Sequence, residues 1–142
     1  MAVKIQNVGV IGAGQMGNGI AHVCALAGYS VHLNDLSADR IKAGMATING
    51  NMARQVGKKS ISEDDRKNAL ARIKPAETYD ALSGCDLVIE TATEKEEVKR
   101  KIFSDVCGSL KPEAILATNT SSISITRLAS STDRPERFIG IH

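Results

Sequence analysis

The segment Val8–Gly17, read together with Asp35, constrains the fold of this chain more than any other feature. A short apolar run leads directly into the GxGxxG pattern of Gly12–Gly17, and a helix-compatible stretch then continues to a stop at Gly28. A second strand-like run, Ser30–Leu33, ends in Asn34-Asp35. Glycines also cluster in ordinary turns, so the glycine pattern alone is weak evidence. A strand, glycine turn, helix and second strand with a terminal acid about 20 residues further on is the full dinucleotide-binding fingerprint.

Each part of this glycine turn has a physical task. Gly12 makes the tight turn out of the strand, Gly14 lets a pyrophosphate approach the backbone, and Gly17 lets the helix pack close to the sheet. The helix that begins near Gln15 offers unpaired amide N–H groups and about half a positive charge to the phosphates. The predicted cofactor-binding turn therefore consists of Gly12, Ala13, Gly14, Gln15, Met16 and Gly17.

Asp35 indicates which dinucleotide this turn would bind. Its carboxylate can accept hydrogen bonds from an adenosine ribose 2′-hydroxyl but would repel a 2′-phosphate. The sequence therefore predicts NAD rather than NADP. The alternative is a glycine-rich turn beside an exposed aspartate that binds no ligand.

Composition limits the remaining possibilities. At 142 residues and 42% hydrophobic content the chain is long enough for one well-cored domain. We expect no membrane span and no signal peptide, because no apolar run has the required length or position. With 3% aromatic residues and a net charge of +2, nucleic acid is not an expected partner. Cys24, Cys85 and Cys107 form no CxxC pair, which predicts free thiols, no metal site and a cytoplasmic location.

Beyond Asp35, helical and strand-like segments continue to alternate. Four helices are expected here. The first begins after the cap Ser37 and ends at Gly57, and the second begins at the capping box of Ser62 and Asp65 and ends near Ala71. The third spans Lys95–Leu110 and the fourth spans Ser124–Ala129. The third of these should present one apolar face, formed by Val98, Ile102, Val106 and Leu110. The expected strands are Ile73–Ala76, Leu87–Glu90, Ala114–Thr118 and Phe138–Ile141. This alternation predicts an α/β Rossmann fold, a doubly wound, mostly parallel sheet, with a helical-hairpin insertion between strands 2 and 3.

The predicted hairpin is rich in basic residues. Between residues 54 and 74 the basic residues outnumber the acids, which are Glu63, Asp64 and Asp65. The basic residues are Arg54, Lys58, Lys59, Arg66, Lys67, Arg72 and Lys74. One interpretation is a solvated helical hairpin without a ligand. The other is an electrostatic site for a second phosphorylated ligand.

Polar segments follow three of the predicted strands, at the edge of the sheet where parallel α/β folds bind ligands. They are Glu94 with Lys99, the Asn119-Thr120-Ser121-Ser122 segment, and His142. A histidine can take a proton from an alcohol as its hydride leaves, and a serine hydroxyl can hold the same oxygen. The alternatives are a capping turn at Asn119–Ser122 and an inert histidine.

Four segments of the sequence resemble the L-3-hydroxyacyl-CoA dehydrogenase family, and most closely its bacterial members that act on 3-hydroxybutyryl-CoA. They are GAGQMGNGIAHVCALAGY, DLVIETATEKEEVKRKIF, ILATNTSSISITRLAS and DRPERFIGIH. The similarity covers nearly the whole chain, and the NTSS motif with a histidine at 142 is its most specific part. The resemblance implies an NAD-dependent oxidation of a short-chain (3S)-3-hydroxyacyl-CoA to the 3-oxoacyl-CoA.

The resemblance also implies roles for individual residues. The turn Gly12–Gly17 would cradle the pyrophosphate, Asp35 would hold the adenosine ribose, and Glu94 and Lys99 would contact the cofactor. Ser121 would touch both the nicotinamide and the substrate oxygen.

His142 would be the base that removes the 3-hydroxyl proton. Coenzyme A would meet the basic hairpin at Asn51, Arg54 and Lys58. Asn51 stands where some members of the family have a serine, and its amide can still form hydrogen bonds.

The resemblance places residues 1–142 in the NAD-binding domain of that family, where an all-helical domain follows. That domain would carry the dimer contacts of the parent protein, and the acid that orients His142 and an asparagine of the substrate site would lie beyond residue 142. We therefore expect an isolated cofactor domain with little or no turnover.

Two other functions remain open from the sequence. One is a non-catalytic nucleotide-binding or structural module with the same fold. The other is a dehydrogenase of the 6-phosphogluconate and 3-hydroxyisobutyrate group, which also has a GxGxMG turn and an acidic strand end.

Overall fold

A six-stranded parallel sheet forms the centre of the fold in the computed structural model, which describes residues 4–120 and 122–141. Its strands are β1 (Asn7–Ile11), β2 (Ser30–Asn34), β3 (Ile73–Ala76), β4 (Leu87–Glu90), β5 (Ile115–Thr118) and β6 (Phe138–Gly140). They lie in the order β3-β2-β1-β4-β5-β6. The order reverses between β1 and β4, as in dinucleotide-binding sheets, and the predicted Rossmann fold is confirmed.

Five α-helices connect these strands within residues 4–120 and 122–141. They are α1 (Gln15–Leu26), α2 (Ala38–Gly57), α3 (Glu63–Ala71), α4 (Glu96–Cys107) and α5 (Ile125–Ala129). Two short 3₁₀ turns, Tyr79–Leu82 and Pro135–Arg137, were not expected from the sequence. No helix within the ranges 4–120 and 122–141 is long and apolar enough to cross a membrane.

Apolar side chains fill both faces of the sheet because neighbouring residues of a strand point to opposite sides. In β4, Val88 belongs to the cluster packed under α4 and α5, and Ile89 belongs to the cluster packed under α1, α2 and α3. β5 alternates in the same way, with Leu116 in the first cluster and Ala117 in the second. Helices on both faces make the sheet doubly wound.

The helical hairpin between β2 and β3 is present and has the predicted caps. The Ser37 hydroxyl accepts a hydrogen bond from the Arg40 amide at 3.2 Å at the start of α2. Ser62 and Asp65 form a reciprocal capping box at the start of α3, with both hydrogen bonds at 3.0 Å. Arg66 then joins the two helices by donating to the Asn49 side chain at 2.6 Å.

The buried face of α4 differs from the expectation. The buried residues of this helix are Lys99, Phe103, Val106 and Cys107, whereas Val98 is 42% exposed and Ile102 is half-buried. Val106 and Leu110 are buried as predicted, but Lys99 and Phe103 take the buried positions expected of Val98 and Ile102. Hydrophobic periodicity could not predict this difference, because it assigns a lysine such as Lys99 to the solvent.

Cys85 and Cys107 are buried free thiols, as the sequence predicts, and Cys24 is free and half-buried. Burial raises the pKa of the Cys85 thiol to about 12, which keeps it protonated and unreactive.

Candidate cofactor site

The turn between β1 and α1 has the backbone geometry of a pyrophosphate-binding turn, which is called the pyrophosphate seat below. Gly12 has a φ of 104°, which L side chains rarely adopt. A Cβ atom built on Gly17 would lie 1.6 Å from the carbonyl oxygen of Gly12, so the close approach of α1 to the turn requires glycine. A Cβ atom on Gly14 would meet nothing within 4 Å. The backbone at Gly14 is therefore open to a ligand.

The start of α1 leaves its first amide groups available. Gly14 is the N-cap residue and no side chain caps the helix, unlike α2 and α3 with their serine caps. Because the first amides of a helix lack partners within it, an anion at this position can accept their hydrogen bonds.

Neighbouring elements fix the turn in place. The Gly12 amide donates to the Asn34 carbonyl oxygen of β2 at 2.8 Å, and the Thr91 hydroxyl after β4 donates to the Ile11 carbonyl oxygen at 3.0 Å. Gly44 of α2 lies against the other side, where a Cβ atom would come within 2.7 Å of the Ala13 carbonyl oxygen. The seat is thus built by β2, β4 and α2 together.

Asp35 lies at the end of β2 with its carboxylate held by two backbone amides. Its Oδ2 accepts from the Ala13 amide at 2.7 Å, and its Oδ1 accepts from the Leu36 amide at 2.6 Å. Each carboxylate oxygen has a further lone pair, so the group can still accept from a ribose hydroxyl.

A crevice of about 740 Å³ extends from this turn between β2 and α4, outside the carboxyl ends of β1 and β4. Leu36, Tyr79, Val98 and Ile102 form its apolar walls, and Asp35 also lines it. Leu36 is 85% exposed, as expected for a wall that a flat apolar ligand would cover. Burial and the carboxylates of Asp105 and Glu90 raise the pKa of the Tyr79 phenol, so it remains a hydrogen-bond donor.

A second hollow of about 750 Å³ lies between the start of α1 and the side of α2. Its lining includes Asn18, Thr47 and Asn51, and it shares Gly14 and Asp35 with the crevice. The two spaces therefore meet at the glycine turn.

Glu94 connects the loops that follow β4 and β5. Its Oε2 accepts from the Thr120 hydroxyl at 3.0 Å and lies 3.4 Å from the donating Ser122 hydroxyl. The structure thus brings the predicted residue Glu94 to the segment around Ser121. Ser121 itself and His142, the two predicted catalytic residues, lie outside the described residues.

Lys99 is not among the residues that line the crevice, and its contact with the cofactor stays a prediction. It is fully buried, and its ammonium group donates to the Glu90 carboxylate and, at 3.2 Å, to the Thr118 hydroxyl. Glu90 is also fully buried and accepts from the Ala92 amide at 2.7 Å. The physical reason is that a buried carboxylate at the end of β4 needs a cation, and Lys99 is the one that supplies it.

Glu90 is not among the site residues predicted from the sequence. A charged residue as the last member of an otherwise apolar strand was the available signal, because such a side chain either ends in solvent or finds a buried partner.

The predicted residues of the basic hairpin share one side of α2. Arg54 donates to the Asn51 side chain one turn away, and Lys58 follows one turn further on as the C-cap residue. Arg54 and Lys58 are exposed, and Asn51 is half-buried at the second hollow. Two cations on one exposed helix face are compatible with both interpretations, a solvated surface and a phosphate site.

Comparison with known proteins gives a consistent result. The family described as 3-hydroxyacyl-CoA dehydrogenase, NAD binding domain, matches residues 7–142. The chain is 72% identical over its full length to a 3-hydroxybutyryl-CoA dehydrogenase of Bradyrhizobium diazoefficiens, covering 48% of that protein. It is 39% identical over its full length to a 3-hydroxyadipyl-CoA dehydrogenase of Escherichia coli K12, covering 30% of it.

A solved structure, the (S)-3-hydroxybutyryl-CoA dehydrogenase of Ralstonia eutropha, superposes with a TM-score of 0.96 at 46% identity. The match covers 98% of this chain and 49% of that one. The chain thus spans about half the length, or less, of the relatives it matches.

Proposed function

Because this chain belongs to the family of the NAD-binding domain of 3-hydroxyacyl-CoA dehydrogenases, we propose that it is the cofactor-binding part of an enzyme that oxidises a (3S)-3-hydroxyacyl-CoA to the 3-oxoacyl-CoA. The substrate we propose is 3-hydroxybutyryl-CoA, after the relative that is 72% identical. The observation that carries the proposal is the open backbone at Gly14 beside the amide-bound carboxylate of Asp35. This pair supplies a seat for a pyrophosphate and an acceptor for a ribose hydroxyl.

The residues present fit NAD. The turn Gly12–Gly17 would hold the pyrophosphate with its amides, Asp35 would hold the adenosine ribose, and the apolar crevice at Leu36 would cover the adenine. Glu94 would lie at the nicotinamide end, where it also holds Thr120. When bound, NAD supplies the hydride acceptor of the reaction.

We assign the substrate chemistry to Ser121 and His142. His142 would remove the proton of the 3-hydroxyl group, and Ser121 would donate a hydrogen bond to the same oxygen. Support comes from the sequence, where Ser121 comes three residues after the end of β5 and His142 two residues after the end of β6. The carboxyl ends of those strands form the ligand-binding edge of the sheet.

Coenzyme A would meet α2 at Asn51, Arg54 and Lys58. The guanidinium and ammonium groups are exposed on one helix face, and both suit phosphate oxygens. Of these three residues, Asn51 lines the second hollow, which also includes Gly14 of the glycine turn.

We further propose that the parent enzyme needs residues outside this chain for turnover. An acid that orients His142 would fix its tautomer and stabilise its cationic form, and loss of such an acid alone can cost about 10⁴ in rate. A helical domain would supply the dimer contacts, and a cytoplasmic location agrees with the free thiols of Cys85 and Cys107.

Titration of the 142-residue chain with NADH and with acetoacetyl-CoA tests this proposal, together with a turnover assay. We expect binding of NADH, weaker binding of acetoacetyl-CoA, and turnover far below that of a full-length relative. Absence of NADH binding by a folded chain would leave a non-catalytic module as the better description. Turnover within about tenfold of a full-length relative would contradict the incomplete site.

A further inference from the structure

Arg40 places a positive charge at the rim of the cofactor crevice, next to the acid that selects the cofactor. It lies in the first turn of α2, where the Ser37 cap fixes its amide at 3.2 Å. Asp35 and Arg40 both line the crevice, and both also line the second hollow. Two opposite charges thus share the place where the ribose of the cofactor would lie.

The two charges do not neutralise each other. Both carboxylate oxygens of Asp35 accept from backbone amides, of Ala13 and Leu36. The guanidinium of Arg40 is exposed and forms no ion pair with any residue in the ranges 4–120 and 122–141. It is therefore available to a ligand.

Chemistry distinguishes what each residue would bind. A carboxylate accepts from the ribose 2′-hydroxyl of NAD and repels the 2′-phosphate of NADP. A guanidinium presents a planar set of donors that matches phosphate oxygens. Asp35 and Arg40 consequently favour different cofactors at the same position.

The other charged residues of the crevice are two cations and two anions, so their formal charges cancel. Lys101 is paired with Asp105 at 3.3 Å, and Lys95 and Glu77 are exposed members of the lining. None of them lines both the crevice and the second hollow, whereas Asp35 and Arg40 line both.

We propose that Arg40 is a specificity-determining residue that holds a latent site for a 2′-phosphate, and that Asp35 alone keeps this site from accepting NADP. The inference concerns the cofactor only and does not depend on the identity of the acyl substrate. Removing the negative charge at residue 35 leaves Arg40 as the dominant charge at the ribose.

The test is calorimetric titration of the chain with NAD, NADP and 2′,5′-ADP, a probe that carries the 2′-phosphate without the nicotinamide. The variants are D35N, R40M, R40K and the double variant D35N/R40M. K42M is the matched control, since Lys42 is an exposed cation two residues along α2 that lines neither hollow. D35S is a second variant at that site in case the amide of D35N misplaces the turn, and thermal unfolding verifies that each protein is folded.

We expect D35N or D35S to bind NADP and 2′,5′-ADP at least about tenfold more tightly than the unmodified chain. Adding R40M should remove this gain, R40K should keep part of it, and K42M should leave all three affinities within about twofold. R40M alone should weaken the binding of NADP more than the binding of NAD. The proposal is overturned if neither variant at residue 35 gains affinity for NADP, if the gain survives in D35N/R40M, or if R40M and K42M act alike.

Discussion

The Ala13 amide donates to the Asp35 carboxylate at 2.7 Å, which joins the turn after β1 to the end of β2. The proposed pyrophosphate seat and the proposed ribose anchor are therefore one hydrogen-bonded unit. A site that is already arranged before the ligand arrives loses less conformational freedom on binding. Asp35 thus positions the turn, and we propose that it also accepts a hydrogen bond from the ribose.

The buried pair of Glu90 and Lys99 gives a prediction about stability. Lys99→Met leaves the Glu90 carboxylate buried without its cation, which should lower the free energy of unfolding by about 3–5 kcal/mol. The double variant Glu90→Gln/Lys99→Met removes both charges, and its free energy of unfolding should fall much less. Urea unfolding of the two variants measures the difference.

The same pair separates a structural role of Lys99 from a cofactor contact. If Lys99 acts only through Glu90, the folded double variant should bind NAD within about threefold of the unmodified chain. A much larger loss of NAD affinity, with the fold intact, would support the predicted contact between Lys99 and the cofactor.

Asp86 predicts how stability responds to acid. Burial alone would raise the pKa of Asp86, but hydrogen bonds from Lys111 and from the amides of Gln6 and Asn7 outweigh it and lower the pKa to about 2 from 3.8. The stabilisation is present above the unfolded pKa and is lost as the pH falls from about 4 to about 2. The contribution of the ionised Asp86 carboxylate to the free energy of unfolding is about 2 kcal/mol.

Unfolding by urea at several pH values measures this contribution. Asp86→Asn should be less stable than the unmodified chain at pH 7, and the difference between the two should shrink towards pH 2. A difference that is independent of pH would show that the Asp86 carboxylate charge contributes nothing.

The basic face of α2 gives a prediction about coenzyme A. The variant Arg54→Met/Lys58→Met should weaken the binding of coenzyme A about tenfold and leave NAD binding unchanged. The loss should diminish in high salt, because exposed charges are screened. Lys67→Met, an exposed cation on α3, is the control. Equal binding of coenzyme A by both variants would favour the solvated hairpin without a ligand.

Local signals in the sequence predicted most of the fold. The strand ends, the stop at Gly28 and the capping box of Ser62 and Asp65 depend on residues that are neighbours in the chain. Their conformations follow from backbone sterics and short-range hydrogen bonds, which composition and spacing reveal.

The buried side of α4 could not be predicted in the same way. Lys99 is buried because Glu90 and Thr118, which come from β4 and β5, provide its partners. Such a long-range arrangement leaves no periodic signal in the helix itself. The crevice wall at Leu36 and Tyr79 likewise depends on separate segments that only the folded sheet brings together.

The most direct test of the cofactor site replaces Gly14 by valine and measures NAD binding by calorimetry. The added side chain enters open space at Gly14, so the fold should be kept while the phosphate seat is blocked. Gly84→Val is the matched control, because a Cβ atom there also meets nothing within 4 Å and Gly84 precedes β4 at the opposite edge of the sheet. We predict that Gly14→Val binds NAD at least about tenfold more weakly than Gly84→Val, with both proteins folded. Equal NAD affinities in the two variants would contradict the account.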